Sequence, residues 1–180
     1  IKLDGALIDG LSAPKRAQLG IGRTFQNLRV FSSLTVQQNI EVAQTVARLD
    51  GPLHDKFVRR AIEKFNLSDS LHIRAGSLAY GYLRRLEIVR ALALKPKILM
   101  LDEPAAGMNE HETKVLAEAL RWLRQHSDCA MLVIDHDLKF IMALCDQITV
   151  LNMGSVIAEG KHNEVANNRQ VIDAYLGEDH

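Results

Sequence analysis

The stretch Lys97-Ile98-Leu99-Met100-Leu101-Asp102-Glu103-Pro104 constrains the fold more than any other part of the chain. Four apolar residues in a row read as a short buried strand, the kind found inside a parallel sheet. The strand ends in two adjacent carboxylates, and Pro104 stops the ladder because it has no N–H to donate. In an open α/β sheet, ligands bind beyond the carboxyl ends of the strands. There one carboxylate can give an oxygen to Mg²⁺ and the other can polarise a water. Taken alone, the stretch is better described as a buried strand with two solvated acids at its end, so the rest of the chain has to decide.

The rest alternates. Ile1–Leu3 and Ala6–Ile8 flank Asp4-Gly5, a hairpin signal. Ser12 and Pro14 predict a short helix that Gly20 closes. Gly22-Arg23-Thr24-Phe25 reads as a strand ending at Gln26, followed by a loop, 27–34, that carries Leu28, Val30 and Phe31. Thr35 caps a helix with apolar positions Val36, Ile40, Val42, Ala43 and Val46. Gly51-Pro52 breaks the chain, and a second helix is expected from about Leu53 to Phe65. The small residues of 76–81 lead into a third, from about Tyr82 to Leu94. After Pro104, Asn109 caps a long amphipathic helix, Glu110 to about Gln125. Ala130–Ile134 is another apolar strand, ending in Asp135-His136-Asp137. A helix (Leu138 to Cys145), two strands (Gln147–Leu151 and Ser155–Ala158, joined at Met153-Gly154) and two short helices (near Asn163–Asn167 and Arg169–Leu176) complete the pattern. The expected fold is α/β, with a mostly parallel sheet and an α-helical subdomain, about 35–94, inserted into a core formed by 1–34 and 95–180.

Composition narrows the function. With Lys+Arg and Asp+Glu both at 22, formal net charge is zero, which argues against a nucleic-acid binder. No apolar run approaches the ~20 residues that a membrane span needs, and no secretory leader is visible. Cys129 and Cys145 lie in apolar stretches and read as reduced core residues. The seven histidines show no metal-ligand spacing.

Three predicted strands thus end in chemistry: at Gln26, at Asp102-Glu103 and at His136. Parallel strands would bring all three to one edge, and an amide, two carboxylates and an imidazole suit phosphoryl transfer to water. Individually, Gln26 is also explained as a loop residue and His136 as a neighbour of a helix N-cap.

Here the sequence resembles the ABC-type ATPases, a branch of the P-loop NTPases. Ile98–Pro104 looks like their Walker B strand, Leu78-Ala79-Tyr80-Gly81-Tyr82 their signature loop, and Ala106-Gly107-Met108-Asn109 their D-loop. Ile134-Asp135-His136-Asp137 resembles their switch-histidine loop, and Thr24-Phe25-Gln26 their Q-loop. Arg84-Arg85-Leu86-Glu87-Ile88, Asp102–Gly107 and Tyr175-Leu176-Gly177 are similar to the ATPase subunits of branched-chain amino acid importers. The resemblance implies ATP and Mg²⁺ as cofactors. Glu103 would be the general base and His136 would contact the γ-phosphate. Gln26 and Asp102 would serve Mg²⁺, while Ala79, Tyr80, Gly81, Tyr82 and Asn109 would face nucleotide across a dimer with a second ATPase subunit, identical or related. Loop 27–34 would meet an ABC membrane subunit, which places the protein in the cytoplasm on the inner face of the plasma membrane, with no span of its own.

The chain departs from the family in two respects. It contains no G-x-x-x-x-G-K-[ST] phosphate loop, and it opens at Ile1 in mid-pattern, so it is expected to be an N-terminally truncated piece of an ABC ATPase domain. The strand preceding that loop would lie between Ala130–Ile134 and Gln147–Leu151. Its loss would expose apolar edges and leave the piece poorly stable, rearranged or completed by another copy. Ala79 stands where Ser is usual, which removes a phosphate-bonding hydroxyl, a loss of about 1.5–3 kcal/mol. Tyr82 stands where Gln is usual. The competing expectation is a non-hydrolysing remnant that docks through its helical block.

Overall fold

A computed structural model describes residues 1–46 and 55–175. The Gly51-Pro52 break, the helix start near Leu53, the side chain of Val46 and the tail Leu176-Gly177 lie outside the described residues. The chain divides into two compact units, Ile1–Ile134 and Asp135–His180.

The first unit opens with a hairpin, β1 (Lys2–Leu3) and β2 (Ala6–Leu7). Asp4 and Gly5 both take positive φ, 50° and 82°, as a tight hairpin turn that matches strand twist requires. Helix α1 (Ala13–Gln18) follows Pro14 at its first turn, but Ser12 makes no side-chain capping bond, so proline's fixed φ starts this helix without one. Strand β3 (Ile21–Arg23), β4 (Ile98–Asp102) and β5 (Ala130–Ile134) form a parallel sheet in the order β3-β4-β5. Ile21 pairs with Ile98, and Ile98 with Ala130. Gly20 sets the spacing at the start of this sheet. Its carbonyl accepts from the N–H groups of Lys97 and Ile98, at 2.7 and 3.1 Å. A Cβ there would lie 2.9 Å from Lys97 Cγ, and its φ is 101°.

Between β3 and β4 the chain is helical: α2 (Val36–Val46), α3 (Lys56–Lys64), two 3₁₀ turns (Ser68–Ser70 and Ala75–Ser77) and α4 (Tyr80–Ala93). Thr35 and Gln38 form a reciprocal cap on α2: Thr35 Oγ1 accepts from Gln38 N at 3.1 Å and Gln38 Oε1 from Thr35 N at 2.9 Å. Asp55 caps α3, accepting from the N–H groups of Phe57 and Val58, and pairs with Lys95 at 2.6 Å. Helix α4 begins two residues earlier than the sequence pattern suggests, because Tyr80 and Gly81 continue the helical turn from Ala79. It is buried almost all round, with Leu86, Ile88, Val89, Leu92 and Ala93 in the core.

From β4 the chain crosses through α5 (Glu110–His126) to β5. Periodicity predicts an apolar stripe of Val115, Leu116, Ala119, Leu120 and Leu123 on α5; the last four are buried, while Val115 is half-buried at the border of the stripe. Central β4 buries Leu99 and Leu101. Strand β5 differs: among the described residues only β4 pairs with it, and Leu132 and Ile134 are 51% and 57% exposed. The fully apolar run is therefore an edge strand with one apolar face open. Cys129, just before it, is half-buried, and burial pushes its thiol pKa up.

The second unit begins at Asp135. It holds α6 (Leu138–Leu144), the antiparallel pair β6 (Ile148–Asn152) and β7 (Ser155–Gly160), and α7 (His162–Ala166) and α8 (Arg169–Tyr175). Met153 and Gly154, both at positive φ, make its hairpin turn. Helices α7 and α8 pack on β7, burying Val165 and Val171. No helix among the described residues is long and apolar enough to cross a membrane.

Candidate functional site

The site is built at the carboxyl edge of β4. Asp102 is the last residue of the strand, and Glu103 turns the chain out of it with a left-handed φ of 44°. Glu103 N still donates to Ile134 O at 2.8 Å, so the turn is anchored on β5. Beside it, β3 runs on past Arg23. Buried Thr24 donates from its N–H to Met100 O at 2.9 Å and accepts from Asp102 N through Oγ1 at 3.4 Å. These bonds bring Gln26 level with the acids. Its Nε2 donates to Glu103 Oε2 at 3.2 Å. Arg23 Nη2 donates to Asp102 Oδ2 at 3.3 Å. The sheet thus unites Gln26, Asp102 and Glu103, three of the residues that the strand-end pattern puts on one edge; the fourth, His136, belongs to the second unit.

The second cluster forms where α4 meets the turn before α5. Ala79 is the N-cap of α4, and its methyl group makes no capping bond. Tyr82 N donates to Ala79 O at 3.0 Å, and no side chain caps the N–H groups of Tyr80 and Gly81 before it, which suits those two to water or an anion. Gly81 lets Glu112 approach closely: a Cβ there would sit 2.5 Å from Glu112 Oε1 and would push that carboxylate aside. Glu112 is held in turn by a capping box with Asn109, whose Oδ1 accepts from Glu112 N at 2.9 Å while Glu112 Oε2 accepts from Asn109 N at 3.1 Å. Tyr80 lies against Gly107, 3.2 Å from where a Cβ would be. Residues 79–82 and 107–112 are thereby one assembly. Tyr82, in place of an amide, takes the Arg85 guanidinium over its ring at 4.1 Å, a cation–π contact. Arg85 also donates to Gly81 O and Phe65 O, at 3.1 and 3.2 Å.

His136 stands two residues beyond β5, in the second unit. It is exposed, with Nδ1 3.7 Å from Asp135 Oδ1. Asp137 caps α6 by accepting from Phe140 N at 3.0 Å, and Asp135 Oδ1 accepts from Asp137 N at 3.0 Å. The imidazole is therefore carried on a well-braced turn.

The residues that sequence reasoning missed are the buried ions of α4. Arg84 is 0% exposed and donates to three main-chain carbonyls, those of Phe25, Gln26 and Glu103. Glu87 pairs with it at 2.9 Å. An Arg and a Glu three residues apart, in a helix that also carries Arg85 and Arg90 among its apolar residues, was the available signal. The loop 27–34 is also more ordered than its composition suggests. Asn39, fully buried, brackets Phe31 by accepting from its N–H at 2.9 Å and donating to its carbonyl at 3.0 Å. Phe31 itself stays 46% exposed, while Leu28 and Val30 are half-buried.

The donors at the β4 edge fit a small hard cation. The second carboxylate oxygen of Asp102 and the amide oxygen of Gln26 are oxygen ligands, and Mg²⁺ is held by one or two such groups with water and substrate phosphates completing its shell. The Arg23 guanidinium on Asp102 is half-exposed and can swing aside.

Comparison with known proteins converges on one family. The family described as "ABC transporter" matches residues 1–106, and that described as "Branched-chain amino acid ATP-binding cassette transporter" matches residues 155–180. The high-affinity branched-chain amino acid transport ATP-binding protein BraF of Pseudomonas aeruginosa is 41% identical over 99% of this chain and 76% of its own length. LivG of Escherichia coli K12, with the same description, is 41% identical over 95% and 73%. The lipopolysaccharide export system ATP-binding protein LptB of Escherichia coli K12 is 32% identical over 99% and 74%. Among solved structures, MJ1267, an ATP-binding cassette of an ABC transporter, superposes with a TM-score of 0.75 at 26% identity, over 93% of this chain and 73% of that one. CbiO1 of Clostridium perfringens shares the fold, with a TM-score of 0.77 at 24% identity over 98% and 72%.

Proposed function

The chain belongs to the ABC transporter family of nucleotide-binding ATPases, and on that premise we propose that it energises the import of branched-chain amino acids. The observation that carries the reading is the contact between Gln26 Nε2 and Glu103 Oε2 across β3 and β4. This contact between an amide and a carboxylate at the end of a central strand supports the reading of Gln26 as the group that orients water beside Glu103. The solute class follows the descriptions of the relatives that are 41% identical and of the family matched at residues 155–180.

In this reading, Glu103 orients the attacking water and takes its proton. The Gln26 amide keeps one of its carboxylate oxygens fixed, which leaves the other for the water. Mg²⁺, when bound with ATP, supplies charge neutralisation of the phosphates, and Asp102 with the Gln26 carbonyl oxygen would hold it. His136 contacts the γ-phosphate. The N–H groups at the start of α4 meet the γ-phosphate held by the opposite subunit of an ATPase dimer, without the hydroxyl that Ala79 lacks. Asn109 uses its amide oxygen to cap α5, which leaves its NH₂ for that interface. Loop 27–34, with Phe31 presented on a pinned backbone, docks on a membrane subunit at the inner face of the plasma membrane.

The test is uptake of labelled leucine, isoleucine and valine by cells lacking this gene. Restored uptake with the wild-type gene, and none with Glu103→Gln, is expected. Unchanged uptake in the deletion strain, with transport of another solute lost, would contradict the solute assignment.

A further inference from the structure

We propose that Arg84 is a positioning residue for ATP hydrolysis, locking the main chain of Gln26 and Glu103 together through one guanidinium, and that Glu87 holds that guanidinium in place. Nη1 donates to Phe25 O at 2.6 Å and to Glu87 Oε2 at 2.9 Å. Nη2 donates to Gln26 O at 3.3 Å and to Glu103 O at 3.1 Å. A single rigid, fully buried fork therefore spans the ends of β3 and β4. These are the two points from which the amide and the carboxylate of the site depart.

Two features separate this arrangement from ordinary packing. First, Glu103 has a left-handed backbone, a conformation that a non-glycine residue keeps only when its surroundings over-determine it. Its N–H is held by β5, and its carbonyl accepts both from Arg84 and from the Ala106 N–H at 3.2 Å, so Arg84 is the one side chain among the three bonds that fix its main chain. Second, the other oxygen of Glu87, Oε1, accepts from Arg29 N at 3.2 Å. Arg29 lies over the Phe25 ring at 4.1 Å, and its carbonyl accepts from Arg90, whose guanidinium lies over Phe31. The ion pair thus sits between the loop 27–34 and the hydrolytic pair, and a shift of that loop reaches Glu103 through it. Lysine cannot replace the fork: an ammonium is a point donor and cannot satisfy carbonyls on diverging sides at once.

The inference rests on Glu103 and Gln26 acting as proposed above, and the experiment separates the two. In the assembled transporter, the kcat and KM for ATP and the affinity for a non-hydrolysable ATP analogue are measured for wild type, Glu103→Gln, Arg84→Lys and Glu87→Gln, with melting temperatures alongside. Arg84→Lys is expected to lower kcat at least tenfold, with KM and analogue affinity within about threefold of wild type. Glu87→Gln keeps the side-chain volume and one acceptor, and is expected to lower kcat by a smaller factor with the same split. If Arg84→Lys does not fold, Glu87→Gln carries the test alone. Wild-type kcat in a folded Arg84→Lys, or in Glu87→Gln when that alone is available, overturns the proposal. So does a loss that appears as weaker binding at unchanged kcat. Should Glu103→Gln itself retain full turnover, the assignment of the base fails instead.

Discussion

The left-handed turn at Glu103 makes a prediction that does not depend on catalysis. An L-residue in this conformation costs roughly 1–2 kcal/mol through the clash of Cβ with the following carbonyl, and a glycine escapes it. Glu103→Gly therefore gains that amount. It loses about 0.5–1 kcal/mol to the larger entropy of glycine in the unfolded chain, and about 0.5–1.5 kcal/mol with the Gln26 hydrogen bond. The main-chain bonds to Ile134 O and from Arg84 remain. The net change is within about 1.5 kcal/mol of zero, although a half-buried residue has lost its whole side chain. Glu103→Gln keeps the same strain and a comparable side chain, so it is the reference. Glu103→Val brings a β-branched Cβ into the left-handed region, where strain of about 1–3 kcal/mol is expected. For a chain of this size 1 kcal/mol moves the melting temperature by about 2–4 °C, so Val is expected to melt several degrees below Gly and Gln. All three variants remove the base, and only stability is compared, by calorimetry and urea titration. Val as stable as Gly, within about 0.5 kcal/mol, would show that the backbone here is not left-handed and would remove the argument for how Glu103 is held.

Three further outcomes follow from the same geometry. Asn109→Ala removes one half of the capping box on α5 and is expected to cost about 1 kcal/mol, read from the shift in urea midpoint; Asn109→Ser should recover most of it. For Asp55, burial raises the carboxyl pKa, but the Lys95 ion pair and the N–H groups of Val58 and Phe57 outweigh it and hold the pKa below the usual value of 3.8. Its contribution is therefore fully present above about pH 4, the unfolded value, and is lost as pH falls through the lowered folded value. Asp55→Asn should be less stable than wild type at pH 6, with the gap closing below pH 4; a gap that widened with acid would contradict the ion pair. On the open edge of β5, Leu132→Lys places a charge on an exposed apolar face, and light scattering is expected to show less self-association without loss of melting temperature.

Much of this site was legible in the sequence because its signals are local. Four apolar residues followed by two acids specify a strand within eight positions, and the order of the other motifs around it is what marks its end as a site. Thr35 and Asn109 mark helix starts by side-chain type alone, and both cap as their positions suggest. Periodicity likewise placed Leu116, Ala119, Leu120 and Leu123 on the inner face of α5. Alternation implied a parallel sheet with its strand ends on one edge, while the order β3-β4-β5 that brings Gln26 to Glu103 came from the structure. What escaped was set by contacts distant in sequence. Arg84 looks like one more charged residue on a helix surface until the carbonyls of residues 25, 26 and 103 are seen to converge on it, 59, 58 and 19 positions away. The start of α4 was misplaced because Ala79, unlike Ser, gives no capping signal. The apolar run Ala130–Ile134 does not reveal from composition that one face is open. Nor does Ser12 reveal that Pro14 leaves its hydroxyl without a capping role.

The central claim is that Glu103 is the base at the edge of an ATP-hydrolysing sheet. Its most direct test is Glu103→Gln in the assembled transporter, with phosphate release and ATP affinity measured side by side. Phosphate release is expected to fall at least 100-fold, in keeping with the ~10²–10⁴-fold contribution of a positioned general base, while ATP affinity holds within about threefold. Turnover retained at the wild-type rate would show that another group takes the proton and that the strand end at Asp102-Glu103 is not the reacting edge.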